Sequence, residues 1–134
     1  MRRLAQLREK KQGFTLIELV MVIVIVGVLA AIIVPNYVDY VGKSGASTTK
    51  ANLQMIRTAI QTFRSENAGA YPTNLATDLV PTYLPEIPPD GLLQQNGVVT
   101  AVDNAGGWQY VSGTGVIKPN LTGADAYGVN FSAY

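Results

Sequence analysis

Apolar and polar positions divide the chain into stretches with different periods. From Phe14 to Val34 there are 21 residues, and the one ionisable side chain among them is Glu18. At about 1.5 Å per residue, a helix of that length spans about 31 Å, close to the hydrocarbon core of a bilayer. Strands are much shorter, so length assigns this Val- and Ile-rich run to a membrane helix. Past Pro35 the period changes. Ala51, Leu53, Ile56, Ala59, Ile60 and Phe63 recur every two to four positions, with Lys50, Asn52, Gln54, Arg57, Gln61 and Arg64 between them. That spacing predicts an amphipathic helix from about Thr48 to about Asn67, ending near Gly69 and packed on a sheet. It continues the membrane helix, although Gly42 and Gly45 weaken the join. A continuous helix from Phe14 to Asn67 would be about 80 Å long.

The proline-rich stretch from Tyr71 to Pro89 predicts an ordered loop held by Tyr71, Leu79, Tyr83, Leu84 and Ile87, with one short helical turn over 74–79. Strand candidates follow at 98–102, 108–112 and 116–118. They are separated by "DNAGG" and "GTG", turn signals of hairpin length. Three antiparallel strands against one long helix make a small α+β body. The tail beyond Pro119 has no clear period, and its Tyr127, Val129, Phe131 and Tyr134 supply an edge strand or a packed loop.

Charge sharpens the picture at the N-terminus. Residues 1–13 hold Arg2, Arg3, Arg8, Lys10 and Lys11 against Glu9, a net +4, while the remainder carries a net −3. A basic segment ahead of an apolar run orients it with the basic end in the cytoplasm. A nucleic-acid site is a distant second reading of those charges, and no direct nucleic-acid partner is expected. A secretory signal peptide has a shorter apolar core, and a plain signal anchor gives Glu18 no role. A carboxylate deep in a bilayer costs about 2.5–3.5 kcal/mol on insertion scales, unless it lies near enough to the interface to snorkel. Gly27 lowers helix propensity, and Pro35 has no N–H for the carbonyl of Ala31, so the run is predicted to kink toward its end.

The ordered segment Gly13-Phe14-Thr15-Leu16-Ile17-Glu18 resembles the cleavage and methylation motif of type IV pilins and type II secretion pseudopilins. The similarity runs on through "LVMVIVIVGVLAAIIVPN", and "Tyr71-Pro72-Thr73" and "Ile87-Pro88-Pro89-Asp90" resemble the family's globular region. The resemblance implies a pilin-like α+β fold. Residues 1–13 would be a leader removed by prepilin peptidase after Gly13, with the new N-terminus at Phe14 methylated. It divides the remainder into a membrane and filament-core helix (14–35), an amphipathic helix (36–68), and a loop with a small antiparallel sheet (69–134). The new α-ammonium on Phe14 and the Glu18 carboxylate lie at i and i+4, on one helix face. The acid would pair with its own terminus or with that of another subunit, and the resemblance implies the second. It also implies that the segment weakened by Gly27 and Pro35 can melt in the assembled filament.

The implied partners are copies of this chain and related subunits, prepilin peptidase, an inner-membrane assembly platform, and membrane lipid before assembly. The filament would then lie in the periplasm or at the cell surface. Type IV pilus and type II secretion pseudopilus both remain open. The absence of a C-terminal cysteine pair and the sequence Ile33-Val34-Pro35-Asn36 lean toward the pseudopilus. A signal-anchored binding module, uncleaved and with Met1 retained, is the reading from a different class.

Composition removes most enzyme chemistry. The chain has no histidine and no cysteine, which excludes imidazole and thiolate metal sites and disulfides. No phosphate-binding glycine loop or paired carboxylates stand in its place, so no enzyme is expected. Hard cations take carboxylates and carbonyls, and some pseudopilins bind calcium in their C-terminal loops. Asp103, Asn104 and Asp125 are the calcium candidates by ligand type, although the Pro-Trp-Gly stretch of that subgroup is missing. Solvated surface acids are the alternative for Asp78, Glu86, Asp90, Asp103 and Asp125.

Overall fold

The computed structural model describes residues 13–134, so the basic leader over residues 1–12 lies outside the described residues. Helix α1 spans Leu16–Glu66, α2 is the single turn Leu75–Asp78, and three short strands follow. These are β1 (Val98–Val99), β2 (Trp108–Val111) and β3 (Val116–Pro119), with a 3₁₀ turn at Phe131–Ala133. The chain divides at Asn36 into two compact units.

Among the described residues, the unit before Tyr37 is the first part of α1 with the three residues that precede it. Every large hydrophobic from Leu16 to Val34 is exposed, most by more than half. The helix is long and apolar enough to cross a membrane, with none of its most apolar window buried. In water this exposure would cost roughly 1.5–3 kcal/mol for each large side chain that an apolar surrounding would bury.

The second unit builds its core on the later part of α1. Leu53, Ile56, Ala59 and Ile60 are buried against Leu75, Leu79, Leu84, Ile87, Trp108, Tyr110 and Ile117, with Phe63, Tyr71 and Tyr83 packed at the margin. The predicted stripe is therefore right except at Ala51, which is exposed. Ala46 and Thr49, fully buried, extend the stripe toward the N-terminus instead. The helix closes at Ala68, left-handed at φ 52°, with the Gly69 N–H returning to the Arg64 carbonyl over 2.9 Å. Asn74 caps α2 through its side chain.

Gly42 and Gly45 do not interrupt α1. A Cβ on Gly45 would stand 2.7 Å from the Gly91 carbonyl oxygen, and one on Gly91 would stand 2.3 Å from the Gly45 oxygen. The two glycines let the loop after the prolines lie directly on the helix backbone. Thr49 completes the contact by accepting from the Gly91 N–H at 2.9 Å.

The sheet differs from expectation in one pairing. β2 and β3 are antiparallel, with Tyr110 opposite Ile117, but β1 pairs parallel to β2, with Val98 opposite Trp108. The sheet is mixed, and "DNAGG" is not a hairpin turn. The Asp90 carboxylate is the cause: it accepts from the N–H groups of Leu92, Leu93, Gln95 and Gly107 at 2.6–3.1 Å. That cluster returns residue 107 to the loop where β1 begins, so β2 leaves in the direction of β1. Gly107, at φ 77°, packs so closely that a Cβ would meet the Gly97 oxygen at 2.3 Å. The tail resolves as a packed loop rather than a strand, with one bridge between Ala124 and Asn130.

Candidate processing and assembly site

The start of α1 has its own local chemistry. Thr15 precedes the helix, and its carbonyl accepts from the Leu19 N–H at 3.2 Å. Its backbone N–H and its hydroxyl both donate to Oε2 of Glu18, at 2.8 and 2.9 Å. The Glu18 N–H returns a 3.3 Å bond to the Thr15 hydroxyl oxygen. This is a reciprocal capping box, Thr-x-x-Glu, satisfying donors that a helix start leaves free. The sequence reading passed over Thr15, although the spacing of threonine and glutamate is itself the signal. Glu18 thus has a local role before any cut, and its charge lies beside the partly positive helix N-terminus.

Around this box the other predicted residues are open. Phe14 is 83% exposed, and Gly13 and Gly27 have no neighbour within 4 Å of where a Cβ would stand. Gly27 is therefore not required by packing within the chain. Pro35 falls inside α1.

The three calcium candidates are not brought to a shared partner. Asp103 accepts from the Ala105 N–H and the Asn120 amide, at 2.9 and 2.6 Å. Asn104 accepts from the backbone and hydroxyl of Thr122. Asp125 accepts from the N–H groups of Tyr127 and Val129, from Lys50 Nζ at 3.2 Å, and from the Tyr134 hydroxyl. Burial pushes the Asp125 carboxyl up, but the Tyr134 hydroxyl, the two N–H groups and Lys50 together hold it well below the usual range. Donors of the chain itself take both oxygens of Asp125, Oδ1 of Asp103 and Oδ1 of Asn104, an arrangement that does not fit a ring of free cation ligands. Asp90 and Asp125 are also buried rather than solvated.

The Asp125 cluster instead fastens the tail. Lys50 Nζ lies 4.6 Å from the ring of Tyr134, and Arg57 donates to the carbonyls of Ile117 and Tyr134, at 3.2 and 2.6 Å. In a chain without cysteine, these polar contacts hold the last loop on α1.

A long helix whose exposed apolar start carries one capped acid, followed by a small α+β body, defines a pilin-like subunit. The prokaryotic N-terminal methylation motif family matches residues 8–34. The type IV major pilin protein PilA of Myxococcus xanthus is 42% identical over 64 residues, which cover 48% of this chain and 29% of that protein. The chain thus matches less than a third of the length of that relative. Fimbrial protein Q of Moraxella bovis is 32% identical over 83% of this chain and 69% of its own length. The type II secretion system core protein G of Klebsiella michiganensis is 30% identical over 62% of this chain and 58% of its own length. No solved structure matches. The chain belongs to the family of type IV pilins and type II secretion pseudopilins, whose members are structural subunits and not enzymes.

Proposed function

We propose that this chain is a processed, filament-forming subunit of the type IV pilus class. It waits in the inner membrane with residues 14–34 in the bilayer and its basic leader in the cytoplasm. Prepilin peptidase cuts the Gly13–Phe14 peptide bond, Phe14 is N-methylated, and an inner-membrane assembly platform adds the subunit to a filament. The apolar helix becomes the filament core, and the α+β body faces outward.

The observation that carries this reading is the state of Glu18. It is the sole charge in an apolar helix that the chain leaves uncovered, and in the uncut chain its Oε2 is held by Thr15. The cut creates an α-ammonium next to Thr15, and a second subunit brings another. A pair of opposite full charges outweighs a carboxylate's bonds to neutral donors in a site without water. Glu18 therefore exchanges its capping partners for the Phe14 terminus of a neighbour and sets axial register.

Glu18→Ala tests this. Cleavage and methylation should proceed near the normal rate, while incorporation into filaments is lost. Normal incorporation would refute the assignment.

A type II secretion pseudopilus is the second reading, supported by the similarity to core protein G and by the cysteine-free tail. The relatives named as type IV major pilins or major fimbrial proteins outnumber core protein G among the matches and favour the pilus.

A further inference from the structure

The later part of α1 carries a cation at every seventh position: Lys43, Lys50, Arg57 and Arg64. Seven residues fall about 20° short of two full turns, so the four share a sector about 60° wide. Three of these rungs grip their own chain. Arg64 donates from Nε to the Gly69 carbonyl at 3.2 Å and lies 4.8 Å from the ring of Tyr71. Arg57 and Lys50 hold the tail as described above. Among the described residues, the Lys43 ammonium makes no hydrogen bond, ion pair or ring contact, while its carbonyl accepts from the Ser47 hydroxyl at 3.0 Å. Tyr37 and Tyr40, six and three positions earlier, are 67% and 75% exposed and have no ring partner.

We propose that Tyr37, Tyr40 and Lys43 form a lipid-headgroup anchor, with the Lys43 ammonium on a lipid phosphate. The inference rests on the membrane-anchored reading above. Tyrosine suits the layer between hydrocarbon and water, because its ring is apolar and its hydroxyl is wet. That layer is about 5–7 Å deep on each side of a bilayer. From Tyr37 to Lys43 the helix rises about 9 Å, and helical side chains tilt toward the N-terminus, the side of the apolar run in sequence. Lys43 thus returns its ammonium toward the level of Tyr40. The chain beyond residue 13 carries a net −3, which anionic headgroups repel, and Lys43 is its first cation after the apolar run. Asp39, four positions before Lys43, lies on the same helix face without an ion pair to it, so a phosphate on Lys43 must displace no carboxylate but does meet its repulsion.

The cysteine-free full chain allows single labels for a depth measurement. It is reconstituted in phosphatidylethanolamine and phosphatidylglycerol vesicles with a fluorophore on Ser44→Cys or Val24→Cys. Headgroup and acyl-chain nitroxides serve as quenchers. With Lys43 present, the Ser44 label is quenched at headgroup level. Lys43→Glu and the double variant Tyr37→Ser/Tyr40→Ser should lower that quenching about twofold, and Lys43→Arg should retain it. Unchanged quenching in Lys43→Glu, with the Val24 label still buried, overturns the anchor alone. Unchanged depth combined with fewer filaments assigns the rung to a second copy of the chain and also overturns it. A Val24 label that acyl-chain nitroxide does not reach overturns the membrane reading and the anchor together.

Discussion

The two parts of α1 obey opposite rules with the same backbone. From Leu16 to Val34 every large apolar side chain of the helix is exposed among the described residues. From Ala46 to Ile60 one face is sealed by α2, the proline-rich loop and the sheet, and among the described residues every buried side-chain nitrogen and oxygen has a hydrogen-bond partner. The first part is built for apolar surroundings. The second is complete by itself. Substitutions in the body should change its stability, and substitutions in the apolar part should change what happens to the chain afterwards.

The largest effect on stability is expected where backbone meets backbone. Gly91→Ala places a methyl 2.3 Å from the Gly45 oxygen, and thermal unfolding should show a loss of about 3 kcal/mol. Gly45→Ala, with its nearest contact at 2.7 Å, should cost less. Equal Tm values for both variants and the parent would mean that helix and loop are not in contact.

Asp90→Ala follows at about 2–3 kcal/mol, because it strands N–H groups that have no other acceptor. Burial pushes this carboxyl up, but the N–H groups of Gly107, Leu93, Gln95 and Leu92 hold its folded pKa below the ordinary value. Its contribution is therefore complete above the unfolded value near 3.9, and is lost as pH falls through the lower folded pKa. Urea midpoints should fall on acidification below about pH 4 in the parent, and by less in Asp90→Ala. An equal pH slope in both would separate the nest from acid stability.

The smallest effect on the body belongs to Thr15→Ala. Removing this cap costs about 1 kcal/mol of local helix stability, and the unfolding transition of residues 37–134 should not move. A shifted Tm would show that the two parts are not independent.

What was legible in the sequence follows the same division. The apolar run, its one acid and the Leu53 to Ile60 stripe were visible because length and period identify them. The parallel pairing of β1 was not visible, because a buried carboxylate gathering four N–H groups redirects the chain across residues that no local pattern connects. Gly42 and Gly45 looked like weak points in a helix. Their purpose is contact with residues far along the chain, and propensity carries no such information. Thr15 was legible and passed over, since the charge of Glu18 drew attention from the cap it completes. At the candidate cation site, ligand type suggested calcium, but Lys50 and Tyr134, distant in sequence, supply the positive charge and the hydrogen bond that Asp125 needs.

The central claim is that the leader, the cut and Glu18 belong to one mechanism. Mass spectrometry of the N-terminal peptide from the membrane and filament fractions tests it most directly. The account predicts a peptide beginning at N-methylated Phe14 in the filament fraction. A chain retaining Met1 through Gly13 in every fraction would contradict it.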